Sequence, residues 1–441
     1  MRRKQGAGVR RVLGDAGGRT RPSSLVRNAL ALTASSVGTA VLGFGFWAVA
    51  ARMTDPRRVG LASAEVTAMM LIANLGDLGV GAVLLRFLPS AGERTRSVVV
   101  RSYAVCTSLG LVIGSVYVVA GLSDRFLPPG PSWRVLFVAA SALWAIFVLQ
   151  DSVLVGLRSA KWVAVENVLF STAKIVLLPL MLAVSLRQGV FLAWSLPVVG
   201  AVLGVNLYLF RSRIPEWQAG AGGRASFPGR RELFSFVGAL YGIRLVNTVV
   251  ASAIPLIVLF RSGAVANGHF YVPWAVSSAV YQLLTNVSTS FVVEASHDPA
   301  DLRRHVDRMV RFGLVVVVPA IVVGVAFAPL FLRVFGTSYS RLGTTLLRLL
   351  LLGVPGAMVT TFYSSFALLE RHVWWLAGRV FASSAVFVAA TLLLIGHLGI
   401  VGVGVAALVT EVVQAMTIFP VAMRRYRAVR REPPAREDAP R

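Results

Sequence analysis

Five basic residues of this sequence, Arg86, Lys174, Arg244, Arg348 and Arg379, stand inside long apolar runs rather than between them. A charge at such depth in hydrocarbon costs roughly 2.5–3.5 kcal/mol or more, so it faces a cavity or a partner and is a functional candidate by default. Arg244 is the strongest of them. Tyr241, Arg244 and Thr248 recur at i, i+3 and i+7, with Asn247 adjoining, which makes one polar stripe on a helix. A guanidinium there would pair bidentately with a phosphate or with an acidic sugar. It would serve equally as an interhelical salt bridge or as a lock between two halves. Arg86 closes an apolar run and would either draw in an anionic headgroup or snorkel to the interface, the reading that also fits Arg52. Lys174 shares a face with Asn167, seven residues earlier, and would contact substrate or pair with Glu166 or Asp151. Asp151 itself shares a seven-residue seam with Trp144 and Arg158, a pattern of structural networks.

Acids set the second kind of chemistry. Asp77 lies in a Gly-flanked break, GDLGVG, where a carboxylate would bind a coupling proton or sodium ion, or hydrogen-bond the backbone groups freed by the bend. Glu294 and Glu411 are candidates for the same coupling role. No catalytic constellation accompanies them. The five histidines are scattered without metal-ligand spacing, so no metal site is expected, and no P-loop offers ATP as a direct energy source. The single cysteine, Cys106, allows no intrachain disulfide and reads as a packing residue. The expectation is therefore a protein without cofactor or enzymatic chemistry, coupled to a proton or sodium gradient.

The elements that carry these residues are membrane spans. The chain is 56% hydrophobic and 14% charged, with mean hydropathy +0.72, too little polar surface for a soluble domain of 441 residues. Twelve apolar windows, each long enough for a core of roughly 30 Å, lie near 28–51, 59–88, 97–121, 132–156, 162–185, 189–210, 234–260, 264–293, 309–335, 341–369, 372–396 and 399–423. The net charge of +25 is a topology signal and not a nucleic-acid face. Thirty of the 44 Lys and Arg fall in the tails and even-numbered loops, against nine in the odd-numbered ones. The positive-inside rule then places both termini in the cytoplasm. Residues 1–27 read as a disordered basic tail without a cleavable signal, and 424–441 as a second disordered tail. The polar stretch 211–233 reads as a cytoplasmic linker between two six-span lobes, 28–210 and 234–423.

The lobes repeat weakly. Arg52 and Gly60 answer to Arg261 and Gly268, and the segment from Trp162 to Glu166 answers to that from Trp375 to Arg379. The fold class expected is an all-α membrane protein of twelve helices in two six-helix lobes, related by a pseudo-two-fold along the membrane normal, with a substrate site between them.

These segments resemble the multidrug/oligosaccharidyl-lipid/polysaccharide exporter superfamily, and within it the polysaccharide-type flippases. The resemblance is carried by AVAARMTDPRRVGLASAE in the first hairpin and by LGDLGVGAVLLRFLP, with Gly76, Leu78, Gly79 and Arg86, in the second helix. ANGHFYVPWAVSS, FVVEASHD and LRVFGTSYS carry it in the second half. It implies a MATE-like pair of lobes that alternate between inward- and outward-open states, with helices one, two, seven and eight lining the cavity. It implies as cargo a lipid-linked saccharide of the polyprenyl-pyrophosphate type. It further implies residence among lipids of a bacterial cytoplasmic membrane, beside a polysaccharide polymerase and glycosyltransferases. A multidrug antiporter of the same fold would need a cavity dominated by acids, whereas the embedded charges here are net cationic. A membrane-embedded glycan-assembly enzyme would need a large outer loop, and the loops of that side are short; a scaffold remains the fourth reading.

Overall fold

A computed structural model describes residues 24–185, 187–220, 230–297, 301–370 and 372–431. Residues 1–23, 221–229 and 432–441, which hold most of the two expected tails and the Gly-rich part of the expected linker, lie outside the described residues. No strand occurs among the described residues. That is what hydrocarbon requires of a chain with no closed barrel, since a helix satisfies its backbone within one segment.

The first lobe holds α1 (Ser24–Met53), α2 (Pro56–Asp77), α3 (Val80–Phe87), α4 (Thr95–Val119), α5 (Pro131–Gly156), α6 (Ala160–Val184) and α7 (Gly189–Tyr208). A π turn over Leu209–Arg213 and the short α8 (Ile214–Ala219) follow, so the start of the 211–233 stretch is helical rather than an open linker. The second lobe holds α9 (Arg230–His297), α10 (Leu302–Phe312), α11 (Val318–Ala326), α12 (Ala328–Arg333), α13 (Thr337–Leu369), α14 (Val373–Leu398) and α15 (Ile400–Arg431). The last helix runs past residue 424, into the expected tail, because its final turns are rich in arginine, a good helix former that also suits a helix C-terminus.

Ten helices among the described residues are long and apolar enough to cross a membrane. One of them, α9, crosses twice. Gly263 takes φ 85° and ψ 174° and folds it back, so that Ile254 and Val258 before the bend share a buried cluster with Phe270 after it. With α1, whose apolar part is Gly38–Met53, the count is twelve. The loops 54–55 and 120–130, residues 187–188 before α7, the Gly263 bend and Gly399 form one end of the molecule, here the hairpin face. The opposite end, where α1 begins and α15 ends, is the terminal face.

Small residues set the spacing inside the lobes. Gly110 and Gly114 of α4 lie against the backbone of Ala142 and Val138 of α5, and Gly356 of α13 lies under the Glu411 carbonyl of α15. In the first lobe, Phe46, Trp47, Trp144, Phe147, Phe170 and Trp194 fill the centre, with ring centroids 5.0–6.4 Å apart in tilted and edge-on pairs. Trp47 and Trp144 are thus core residues, whereas Trp374 and Trp375 are exposed at the start of α14, where an interfacial belt would lie.

The lobes meet where α2 crosses the second arm of α9. A Cβ on Gly60 would fall 1.9 Å from the Ala264 carbonyl, and one on Gly268 would fall 1.9 Å from that of Pro56. These are the two glycines that the repeat pairs, one from each lobe, and neither position accepts a side chain without separation of the helices. Asn267 Nδ2 donates across the same contact to the Gly60 carbonyl at 2.8 Å and to Ser63 Oγ at 3.2 Å.

Candidate functional site

The hairpin face is sealed. Arg52 donates through Nε and Nη2 to the carbonyls of Val334 and Arg333, each at 2.8 Å, and Arg125 Nη1 donates to the Phe260 carbonyl at 3.1 Å. Below the glycine crossing, the rings of Trp47 and Tyr271 pack 4.8 Å apart, and Tyr271 meets Thr67. Tyr271 is eight residues from the bend, so the seal reaches about 12 Å inward at 1.5 Å per residue.

Beyond it, polar side chains come to the surface at membrane depth. On the second arm of α9, Gln282, Thr285, Asn286 and Thr289 are exposed on one helical face, and Gln282 donates to Asn286 at 3.0 Å. On the first arm, Arg244 and Asn247 are exposed. Arg244 and Gln282 are each nineteen residues from Gly263, hence level, about 28 Å along their arms. Arg244 is also fourteen residues from Arg230, the start of α9, about 21 Å, so it stands near the middle of its arm. Asp77 of α2, twenty-one residues from Pro56, lies at a similar level. Polar side chains thus stand exposed at one level on both arms of α9, with the half-buried Asp77 of α2 near them, and lipid alone would leave them unsatisfied.

The break between α2 and α3 closes one side of this belt. Leu78 takes φ 45° and Gly79 φ 78°, a left-handed pair that stops α2. Asp77 Oδ1 accepts from the Gly81 amide at 2.9 Å and so caps the restart. Tyr241 lies against this break, with Asp77, Leu78 and Arg244 around its hydroxyl. The structure therefore brings together Tyr241, Arg244 and Asp77, with Asn247 one turn away. Arg86 follows at the exposed end of α3, its guanidinium 5.3 Å from the Phe87 ring.

The other candidates lie elsewhere. Arg52 belongs to the hairpin-face lock. Lys174 is buried inside the first lobe, its Nζ 3.8 Å from the Trp194 ring centroid, 5.0 Å from Phe170 and 5.6 Å from Phe46. It pairs with neither Glu166 nor Asp151, although the sequence leaves such a pair open. Glu294 is exposed on the terminal face, where its Oε2 binds Arg308 at 2.9 Å and His305 at 3.1 Å. Glu411 is within the second lobe beside Tyr281 and Arg379. Arg348 donates to the Val325 carbonyl at 3.0 Å. Glu65, which nothing in the sequence marks out, is a fully buried carboxylate on α2 near Gln188 and Arg187. Its neighbours, Ala62, Ala64 and Val66, give no polar period to flag it.

An apolar cavity of about 330 Å³ opens in the second lobe between α9, α10, α13 and α15, lined by Leu284, Met309, Met358, Phe362 and Met423 among others. Among the described residues no group of three or more His, Cys, Asp or Glu is placed to hold a metal ion.

A family model described as polysaccharide biosynthesis protein matches residues 25–297, more than half of the chain. The chain belongs to that family. No curated protein matches the sequence. Among solved structures, the inward-facing conformation of a multidrug resistance MATE family transporter of the MOP superfamily superposes with a TM-score of 0.68 at 16% identity, covering 89% of this chain and 95% of that one. Lipid II flippase MurJ in its inward closed conformation gives 0.65 at 14% identity, covering 92% and 90%. An outward-facing conformation of a multidrug resistance MATE family transporter gives 0.52 at 15%, covering 92% and 94%. The fold is the twelve-helix, two-lobed one expected, shared with those transporter and flippase structures, and this member of the polysaccharide biosynthesis family is a multi-pass membrane protein.

Proposed function

We propose that the protein carries a lipid-linked oligosaccharide, of the polyprenyl-pyrophosphate type, across a bacterial cytoplasmic membrane by alternating access. The observation that carries this reading is Arg244, a cation exposed at membrane depth within a belt of amides and hydroxyls. Cationic and hydroxylic groups together suit a pyrophosphate joined to sugar, the guanidinium meeting phosphate oxygens and the amides meeting sugar hydroxyls. The terminal face is the cytoplasmic one in this reading, as its arginine-rich loops indicate. The polar belt then meets newly made cargo from inside, and the sealed hairpin face is extracytoplasmic. The apolar cavity of the second lobe offers room for part of a hydrocarbon chain. A proton or sodium gradient supplies the energy, and polymerase and glycosyltransferases stand on either side of the transport step.

The test is genetic and chemical. Arg244→Ala should abolish surface polysaccharide in cells that depend on this protein, with the membrane level of the variant unchanged. Full polysaccharide in that variant would remove Arg244 from the pathway. Efflux of cationic drugs by the wild type, without any effect on polysaccharide, would replace the reading with multidrug transport.

A further inference from the structure

Near the terminal face of the first lobe, a buried carboxylate and a half-buried one adjoin without a cation. Glu166 is 4% exposed, and its Oε1 accepts from Gln150 Nε2 while its Oε2, also buried, has no partner. Asp151 lies beside it with a buried, unpartnered Oδ1. Asn206 of α7 donates to Gln150 Oε1 at 3.0 Å and leaves its own Oδ1 unpartnered, as is the Tyr103 hydroxyl from α4. Three buried acceptor oxygens from three helices, α5, α6 and α7, thus lack a hydrogen bond at one place, with the Tyr103 hydroxyl of α4 beside them. Buried polar atoms rarely go unpaired, and each costs roughly 1–3 kcal/mol when they do.

The second lobe carries the same construction with the charge reversed. Glu166 stands six residues after Ala160, the start of α6, and Arg379 six after Val373, the start of α14. Asp151 stands five residues before Gly156, the end of α5, and Ser364 five before Leu369, the end of α13. Arg379 Nη2 donates to Ser364 Oγ at 2.9 Å, and Nη1 donates to Gln414 Oε1 on the last helix, also at 2.9 Å. Glu411 lies alongside. In that lobe a guanidinium built into the chain donates to two of its neighbours, although Glu411 Oε2 still lacks a hydrogen bond. In the first lobe the equivalent position holds a carboxylate that accepts from Gln150 and has no guanidinium beside it.

We propose that Gln150, Asp151, Glu166 and Asn206 form a binding site for a small monovalent cation, a sodium ion or a proton, which does in the first lobe what Arg379 does in the second. Among the described residues no lysine or arginine is paired with either carboxylate. The groups facing the site are Tyr103 from α4, Asp151 from α5, Glu166 and Asn167 from α6, and Asn206 from α7. Lys174, on the same face of α6, is eight residues away, about 12 Å along the helix, and is enclosed by its aromatic rings. Arg213 is occupied by the Leu157 carbonyl at 2.7 Å and by Ser159 Oγ at 2.7 Å. Sodium accepts oxygen ligands of this kind, and a proton shared between two carboxyls would relieve the same repulsion. The site supplies the coupling ion that the transport reading needs, but its test makes no use of cargo.

The experiment uses the purified full-length protein in lipid nanodiscs, with bound ²²Na⁺ counted at mildly alkaline pH and proton uptake followed in sodium-free solution. Saturable binding of one sodium ion, or uptake of one proton, is expected in the wild type. Either signal should vanish in the isosteric double variant Asp151→Asn/Glu166→Gln, and in Glu166→Arg, which copies the other lobe. Heating curves of the variants check that they fold. A wild type that takes up neither cation, or variants that fold and take up as much as the wild type, would overturn the site. Loss of the signal with polysaccharide transport intact would keep the site and separate it from transport.

Discussion

Asn267 of the second lobe donates to the carbonyl of Gly60 in the first at 2.8 Å, directly beside the place where Gly60 and Gly268 let the two lobes touch backbone to backbone. The contact has the properties a gate requires. Its closeness comes from two missing side chains, which adds no apolar area that would be hard to expose again. Its polar bonds are few, and each contributes about 1 kcal/mol net. A transporter that alternates must keep its states within a few kcal/mol of each other.

Replacing Asn267 by alanine should therefore loosen the hairpin face without unfolding either lobe. Loss of two hydrogen bonds, about 1–3 kcal/mol together, shifts the equilibrium roughly five- to hundredfold toward the open state. Spin labels at Arg57→Cys and Ser262→Cys, both exposed, report the separation directly. The native Cys106 is buried and should not compete for label. An unchanged distance distribution would show that Asn267 does not hold the gate.

Gly60→Val and Gly268→Val should be harsher. Each places a side chain where a Cβ alone would meet a carbonyl oxygen at 1.9 Å, so the closed hairpin face cannot form. Transport should stop in both, and the spin-label distance should move to the open population alone. Because the two glycines are related by the repeat, their effects should match. One of them behaving as wild type would contradict the crossing described here.

The sequence carries the spans well and the crossing poorly. Long apolar runs mark each helix, and the Asp55–Pro56 and GDLGVG segments mark a start and a break through local backbone chemistry: Asp55 accepts from the Arg58 amide, and Asp77 from that of Gly81. Arg244 and Tyr241 are legible because polar residues at helical spacing stand out in an apolar run. Lys174 is not, since its partners are the faces of Trp194, Phe170 and Phe46, which look like any other core residues in a sequence. The pairing of Glu166 with Gln150 and of Arg379 with Ser364 depends on which helices adjoin, and that is a tertiary fact.

Lys174 also makes a stability prediction. A cation–π contact in a dry site contributes about 2 kcal/mol, less than the several kcal/mol that burying the ammonium costs. Lys174→Met should fill the same space and raise the melting temperature in nanodiscs. A lowered melting temperature would mean that the aromatic box depends on the charge.

The most direct test of the whole account is flipping itself. Purified protein would be placed in vesicles with a fluorescent polyprenyl-pyrophosphate saccharide, and the share of label protected from an added membrane-impermeant quencher followed with time. The account predicts protein-dependent movement of the saccharide between leaflets, lost in Arg244→Ala and partly kept in Arg244→Lys, which preserves charge without the bidentate fork. No movement above protein-free vesicles, or equal rates in wild type and Arg244→Ala, would contradict it.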